Sequence, residues 1–158
     1  MNKLPYETAT SGHRALEEVG KILKSFGCAK FGHMLDHDEG CLIVQFEYRG
    51  RQVSIKASFN GYAAAWLKRH PFNSWVRVSR AAHETKAKDI AAIAVHSIVR
   101  DWIKGQVTAV ETGILSFEGA FLGQILLPNG KTVFEAVTTQ KLLPPPQGGS
   151  HENRTDAG

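Results

Sequence analysis

His33, Asp36, His37 and Asp38 fall within six residues of a 158-residue chain, and their side chains are of the types that hold divalent metals. A catalytic zinc needs three protein ligands fixed on an ordered frame, with a fourth position open. This run continues into Glu39-Gly40 and has the composition of a solvated turn, so no metal ligand set is assigned to it. Glu47 and Lys56 are residues that a metal-dependent nuclease would use, but Ser54 stands where a second acid is wanted two positions before the lysine. Cys28 lies near Lys30, a cation that could lower a thiol pKa, yet no base is placed beside it. The HExxH, GxSxG, GxxxxGK[ST] and CxxC patterns are all missing from the sequence. No catalytic residue, metal or cofactor is assigned.

Residues 49–88 carry a different signal. They hold nine Lys or Arg against one acid, Glu84, while the rest of the chain holds ten against fourteen. Phe59, Tyr62, Trp66, Phe72 and Trp75 lie among those cations. Single-stranded nucleic acid is commonly held by a positive groove for phosphates and by rings that stack on bases. The expected contacts are Arg51, Lys56, Lys68, Arg69, Arg77 and Arg80 to phosphates, with Phe72 and Trp75 stacking or wedging. Trp66 and Tyr62 have helical spacing and are assigned to the core, and Phe59 is left open. Phe72 and Trp75 lie in a loop, where surface exposure is the rule. The leading expectation is a non-catalytic nucleic-acid-binding protein. The alternative is an interaction module that binds or inhibits a host protein, with the same two rings as interface anchors.

The elements that must position these residues follow from periodicity. Residues 1–10 read as an extended arm. Ser11 is placed to cap a helix bearing Leu16, Val19, Leu23 and Phe26, closed by Gly27. The strand 41–48 and the strand 51–57 join through Arg49-Gly50, a link suited to a tight hairpin. That link sets Phe46 opposite Val53, Val44 opposite Ile55 and Leu42 opposite Ala57. The run 28–35 should pair with 41–48, placing Phe31 against Phe46 and Leu35 against Leu42, both buried. Cys28 and Cys41 then lie at opposite ends of the hairpin, about 25 Å apart at the usual rise per residue, and cannot form a disulfide. Asn60 is expected to cap a helix that Pro71 stops. A long helix starts near Ser79 with Ala87, Ala91, Ala94, Val95, Ile98 and Trp102 on its buried face. Gly105 is its expected end, with extension toward Gly113 as the alternative. The segment "SFEGAFLGQ" suits a short helix, and Thr132-x-x-Glu135 has the form of a capping box, favouring a helix over a return strand.

The fold class is therefore α+β: a three-stranded antiparallel sheet with a helix before and after it, a long further helix, and a small C-terminal hairpin or helix. Residues 1–143 form one domain, and the Pro/Gly-rich stretch 144–158 reads as a disordered tail. With no apolar run of membrane-spanning length and no apolar N-terminal segment, a cytoplasmic location with reduced thiols and no membrane partner is expected.

The order helix–strand–strand–strand–helix over residues 11–70 resembles the topology of the double-stranded-RNA-binding domain. That family reads A-form geometry partly through lysines at the start of its second helix, where "SFNGYAAAW" here has none, so the resemblance is one of fold. The segments "LPYETATSG", "RGRQVSIKASFNGYAAAWLK", "VRDWIKGQVTAVETGILSFEGAFL" and "LPNGKTV" resemble a family of small uncharacterised bacteriophage and prophage proteins. The resemblance implies a phage-like setting, in which small basic proteins handle nucleic acid or bind a host protein.

Overall fold

The hairpin of residues 41–58 forms around Arg49 and Gly50, whose φ angles of 48° and 78° give the two left-handed positions that a tight turn of this hand requires. Our computed structural model describes residues 2–147. In it β1 (Lys30–Asp36), β2 (Cys41–Tyr48) and β3 (Arg51–Ser58) form one antiparallel sheet in that order. The expected register holds throughout: Phe31 faces Phe46, Leu35 faces Leu42, Phe46 faces Val53 and Val44 faces Ile55. Both cysteines are free.

Two helices cover one face of this sheet. Helix α1 (Gly12–Phe26) is capped by the Ser11 side chain, which accepts from Arg14 N–H, and it ends at Gly27 with φ 104°. Its Leu16, Val19 and Leu23 pack against Leu42, Val44, Phe46 and Val53 of the sheet and against Val95, Val99, Ile103 and Val107 of the long helix that follows. Helix α3 (Arg80–Glu111) runs 32 residues. It passes Gly105 because one exposed glycine costs a helix only about 1 kcal/mol, less than burying Val107 and part of Val110 returns. Short helix α4 (Phe117–Phe121) and the 3-10 turn Leu122–Gln124 close the end of this core with Phe117, Phe121 and Ile125. Helix α5 (Val133–Thr139) opens on the expected capping box of Thr132 and Glu135.

A second, smaller cluster joins α2 (Asn60–Arg69) to the start of α3. Ala63 and Trp66 bury against Ala87 and Ala91, the small side chains letting the two helices approach closely, and Leu4, Phe59, Tyr62 and Leu67 pack around them.

Four expectations fail for physical reasons. Phe31 and Leu35 keep the expected register but remain 37% and 41% exposed, because β1 is an edge strand and the helices cover mainly β2 and β3. Phe59, not Asn60, occupies the N-cap of α2; the Asn60 amide instead donates to the Glu39 carbonyl at 3.3 Å. Trp102 lies at the rim of the core, 37% exposed, with its ring edge-on to Phe121. The N-terminal arm curls instead of extending, with Glu7 and Ala9 donating back to the Leu4 and Tyr6 carbonyls. Residues 144–147 carry no helix or strand, and the rest of the expected tail, 148–158, lies outside the described residues.

Candidate nucleic-acid interface

Pro71 ends α2, and the chain then crosses to α3 through residues 70–79. Both ends of this crossing are tied down. His83 Nε2 donates to the His70 carbonyl at 2.6 Å, and the Ser79 side chain caps α3 by accepting from Ala82 N–H at 3.1 Å. Between them, Asn73 Oδ1 accepts from Trp75 N–H at 3.0 Å while the Asn73 carbonyl accepts from Val76. That local turn leaves the Trp75 ring 88% exposed. Arg80 sets its guanidinium 5.0 Å from the centre of the Phe72 ring, which is 36% exposed.

Beneath the crossing lies a groove of about 480 Å³ with a mainly apolar wall that includes Trp66, Pro71, Val76 and Val78, and with Arg69, His70, Arg77, His83 and Lys86 around it. Trp66 is buried, as expected; it stacks on His70 at 4.3 Å and has Lys86 Nζ 6.0 Å from its ring centre. Tyr62 and Phe59 are half-buried, Phe59 stacking on the buried His96. Among the described residues, Lys68, Arg69, Arg77, Arg80, Lys86 and Lys88 have no carboxylate within ion-pair distance, although Arg69 donates to the Asn2 carbonyl at 2.9 Å. With no ion pair formed, these cations remain available to an anionic partner, though Glu84 and Asp89 on α3 offset part of their field.

Two expected contacts are not part of this site. Arg51 pairs with Glu118 at 3.0 Å, and Lys56 is bound to Glu39. Neither borders the groove under the crossing. Arg69 and Arg77 do line it, while Phe72, Trp75 and Arg80 stand on the loop and helix start above. Lys68 is exposed on the last turn of α2. His70, His83 and Lys86 were not singled out from the sequence. His83 and Lys86, three apart at the start of a helix, share a face, and that spacing could have found them. The pairing of His70 with His83 has no sequence signal.

No family model, no curated protein and no solved structure matches this chain.

The N-terminal arm buttresses the groove from behind. The Glu7 carboxylate accepts from Leu4 N–H at 2.8 Å and from Trp66 Nε1–H at 3.2 Å, and lies 3.4 Å from His70 Nε2. The bond from Leu4, followed by the proximity of His70 and the bond from Trp66, holds this carboxylate below its usual range. A carboxyl group depressed in the folded protein stabilises it above the unfolded pKa, and that contribution disappears as pH falls through the folded value. The docked arm should therefore persist at neutral pH and loosen in acid below 4.5. The Trp66 indole N–H resonance should report this as an inflection below that pH, absent in Glu7→Gln. An unchanged inflection in the variant would assign the titration to another group.

The other chemical candidates do not assemble. Burial pushes the Cys28 thiol up to about 11, overriding any effect of Lys30. Glu47 pairs with Lys30 at 3.2 Å, and lies four register positions from Lys56. Near the β1–β2 turn the chain gathers Asp36, Glu39 and Cys41, a different set from the His33–Asp38 run. There the Lys56 ammonium already sits on Glu39, Asp36 Oδ1 accepts the N–H groups of Asp38 and Glu39, and burial raises the Cys41 thiol.

Proposed function

We propose that this is a non-catalytic nucleic-acid-binding protein in which Arg69, Arg77, Arg80 and Lys86, with Lys68 beside them, hold a phosphate backbone while Trp75 and Phe72 stack on bases. One observation carries this reading: cations without acidic partners border a single groove next to a tryptophan that is 88% exposed. A bare indole beside unpaired guanidinium groups supplies both a stacking surface and phosphate contacts. Arg51 and Lys56, neutralised by Glu118 and Glu39, are secondary contacts in this reading. The proposed setting is a phage or prophage product acting in the cytoplasm. No helix of the described residues is long and apolar enough to cross a membrane.

Fluorescence anisotropy with labelled single-stranded DNA, duplex DNA and duplex RNA, each titrated at several salt concentrations, tests the proposal. Binding whose log affinity falls steeply with log salt supports it. Trp75→Ala should cost about 1–3 kcal/mol on single strands, the usual worth of one stacked base, with a smaller effect on duplexes. No binding even at low salt overturns the reading. Trp75 would then be an anchor for a host protein, recoverable by pull-down from nuclease-treated lysate.

A further inference from the structure

The two edges of the sheet differ. Beside β3, Val53 bridges Ile125, and Leu126 N–H donates to the Gln52 carbonyl at 2.8 Å. Beside β1 no strand lies among the described residues. Edge strands are usually protected by proline, a bulge, shortness or charged side chains, and β1 carries its charges, Lys30 and Asp36, only at its two ends. β1 instead pairs without interruption for seven residues and exposes Phe31, Met34 and Leu35 by 37%, 58% and 41%.

The backbone of this edge has a defined polarity. The two-residue turn makes Tyr48 and Arg51 a hydrogen-bonded pair, and antiparallel pairs alternate from there. Across β2, the alternation turns the N–H and C=O groups of Lys30, Gly32, Met34 and Asp36 inward, and those of Phe31, His33 and Leu35 toward the open edge.

The side chains along β1 complement their own reverse. The strand reads Lys-Phe-Gly-His-Met-Leu-Asp. When a second copy is laid antiparallel with His33 opposite His33, Lys30 meets Asp36, Phe31 meets Leu35 and Gly32 meets Met34. Opposite charges face each other at both ends, an aromatic ring covers an aliphatic chain, and a residue without a side chain makes room for a long one. Outward backbone groups also meet outward backbone groups in this register. Sliding by two residues in either direction, the next alignments that keep the hydrogen bonds, removes the Lys30–Asp36 pairs. Lys30 also reaches Glu47 at 3.2 Å on the same face, and Asp36 uses only Oδ1 within its own turn.

We propose that the protein forms a twofold dimer by antiparallel pairing of β1 with β1 of a second copy, giving a continuous six-stranded sheet with His33 at the axis. β1 contributes nothing to the groove around Trp66, so this proposal and the nucleic-acid reading can fail independently.

Sedimentation of the full chain over a wide concentration range should show a species of twice 17.3 kDa. His33→Pro removes one outward N–H from each copy at the centre of the interface. It should weaken dimerisation about 30-fold, the effect of two lost hydrogen bonds, with the circular dichroism spectrum unchanged. A second variant keeps the test decisive should that one misfold. His33→Cys places two thiols on residues whose Cα atoms lie about 5.5 Å apart in a hydrogen-bonded pair, within disulfide reach. Gly32→Cys, where an added side chain meets open space, faces Met34 of the second copy and should cross-link far less. A covalent dimer through position 33 and not 32 is the expected result. A chain monomeric throughout the range, or a dimer that cross-links no better at 33 than at 32, overturns the proposal.

Discussion

Replacing Arg77 and Arg80 together by alanine should lower nucleic-acid affinity about 10- to 100-fold near physiological salt, across all sequences tested. The slope of log affinity against log salt should also flatten by roughly two contacts' worth, about 0.7–0.9 per phosphate. Both effects follow from the position of these residues. Arg77 lines the groove under the crossing and Arg80 covers Phe72, and neither has an acidic partner among the described residues. Their removal breaks no internal ion pair, so the fold should survive and the loss should belong to binding. Arg51→Ala provides the contrast. Its guanidinium is already engaged by Glu118, so the affinity should change far less. Equal losses from Arg51→Ala and from the double variant would move the binding surface away from the α2–α3 crossing.

Phe121→Ala should have the largest effect on stability. Phe121 is fully buried; it meets Phe46 of the sheet edge-on at 5.5 Å and Trp102 of α3 edge-on at 5.7 Å, and tilts against Phe117 at 5.2 Å. One ring thus joins the sheet, the long helix and the short helix that closes the core. Truncating a buried phenylalanine costs about 3–5 kcal/mol, because the cavity left behind collapses only in part. For a chain of this size that loss lowers the melting temperature by roughly 6–20 °C. Urea unfolding should show a lower midpoint with an unchanged slope, since the surface exposed on unfolding hardly changes. Phe134→Ala, at a ring 60% exposed, should stay within about 0.5 kcal/mol of the parent. A shift below about 1 kcal/mol for Phe121→Ala would mean that α4 does not seal this core.

The sheet was legible in the sequence because a two-residue turn and strict alternation leave one register that places apolar partners together. Burial was less legible. Register assigns Phe31 and Leu35 to the helix-covered face, but how far α1 extends over that face depends on its packing against α3, which no local pattern encodes. Gly105 was a reasonable stop signal locally, and Val107 overrode it through contacts made far along the chain. The site divided in the same way. Counting charges located the basic segment and loop composition exposed Trp75, yet only the path of residues 70–79 brings Arg69, Arg77 and Lys86 to one groove. The pairing of Arg51 with Glu118 and of Lys56 with Glu39 joins residues distant in sequence, so their neutralisation could not be read from the segment itself.

The mutual burial of α1 and α3 also sets a timetable for the growing chain on the ribosome. Val19 leaves the tunnel well before Val99, its neighbour in the core, and at about 5–20 residues per second the roughly 80 intervening residues take some 4–16 s. The β2–β3 hairpin is complete about midway through that interval, when α1 is available to cover Leu42, Val44 and Phe46 but α3 is not. Until α3 follows, the nascent chain displays an apolar sheet face of the kind that chaperones hold, and final folding waits on the second half of translation.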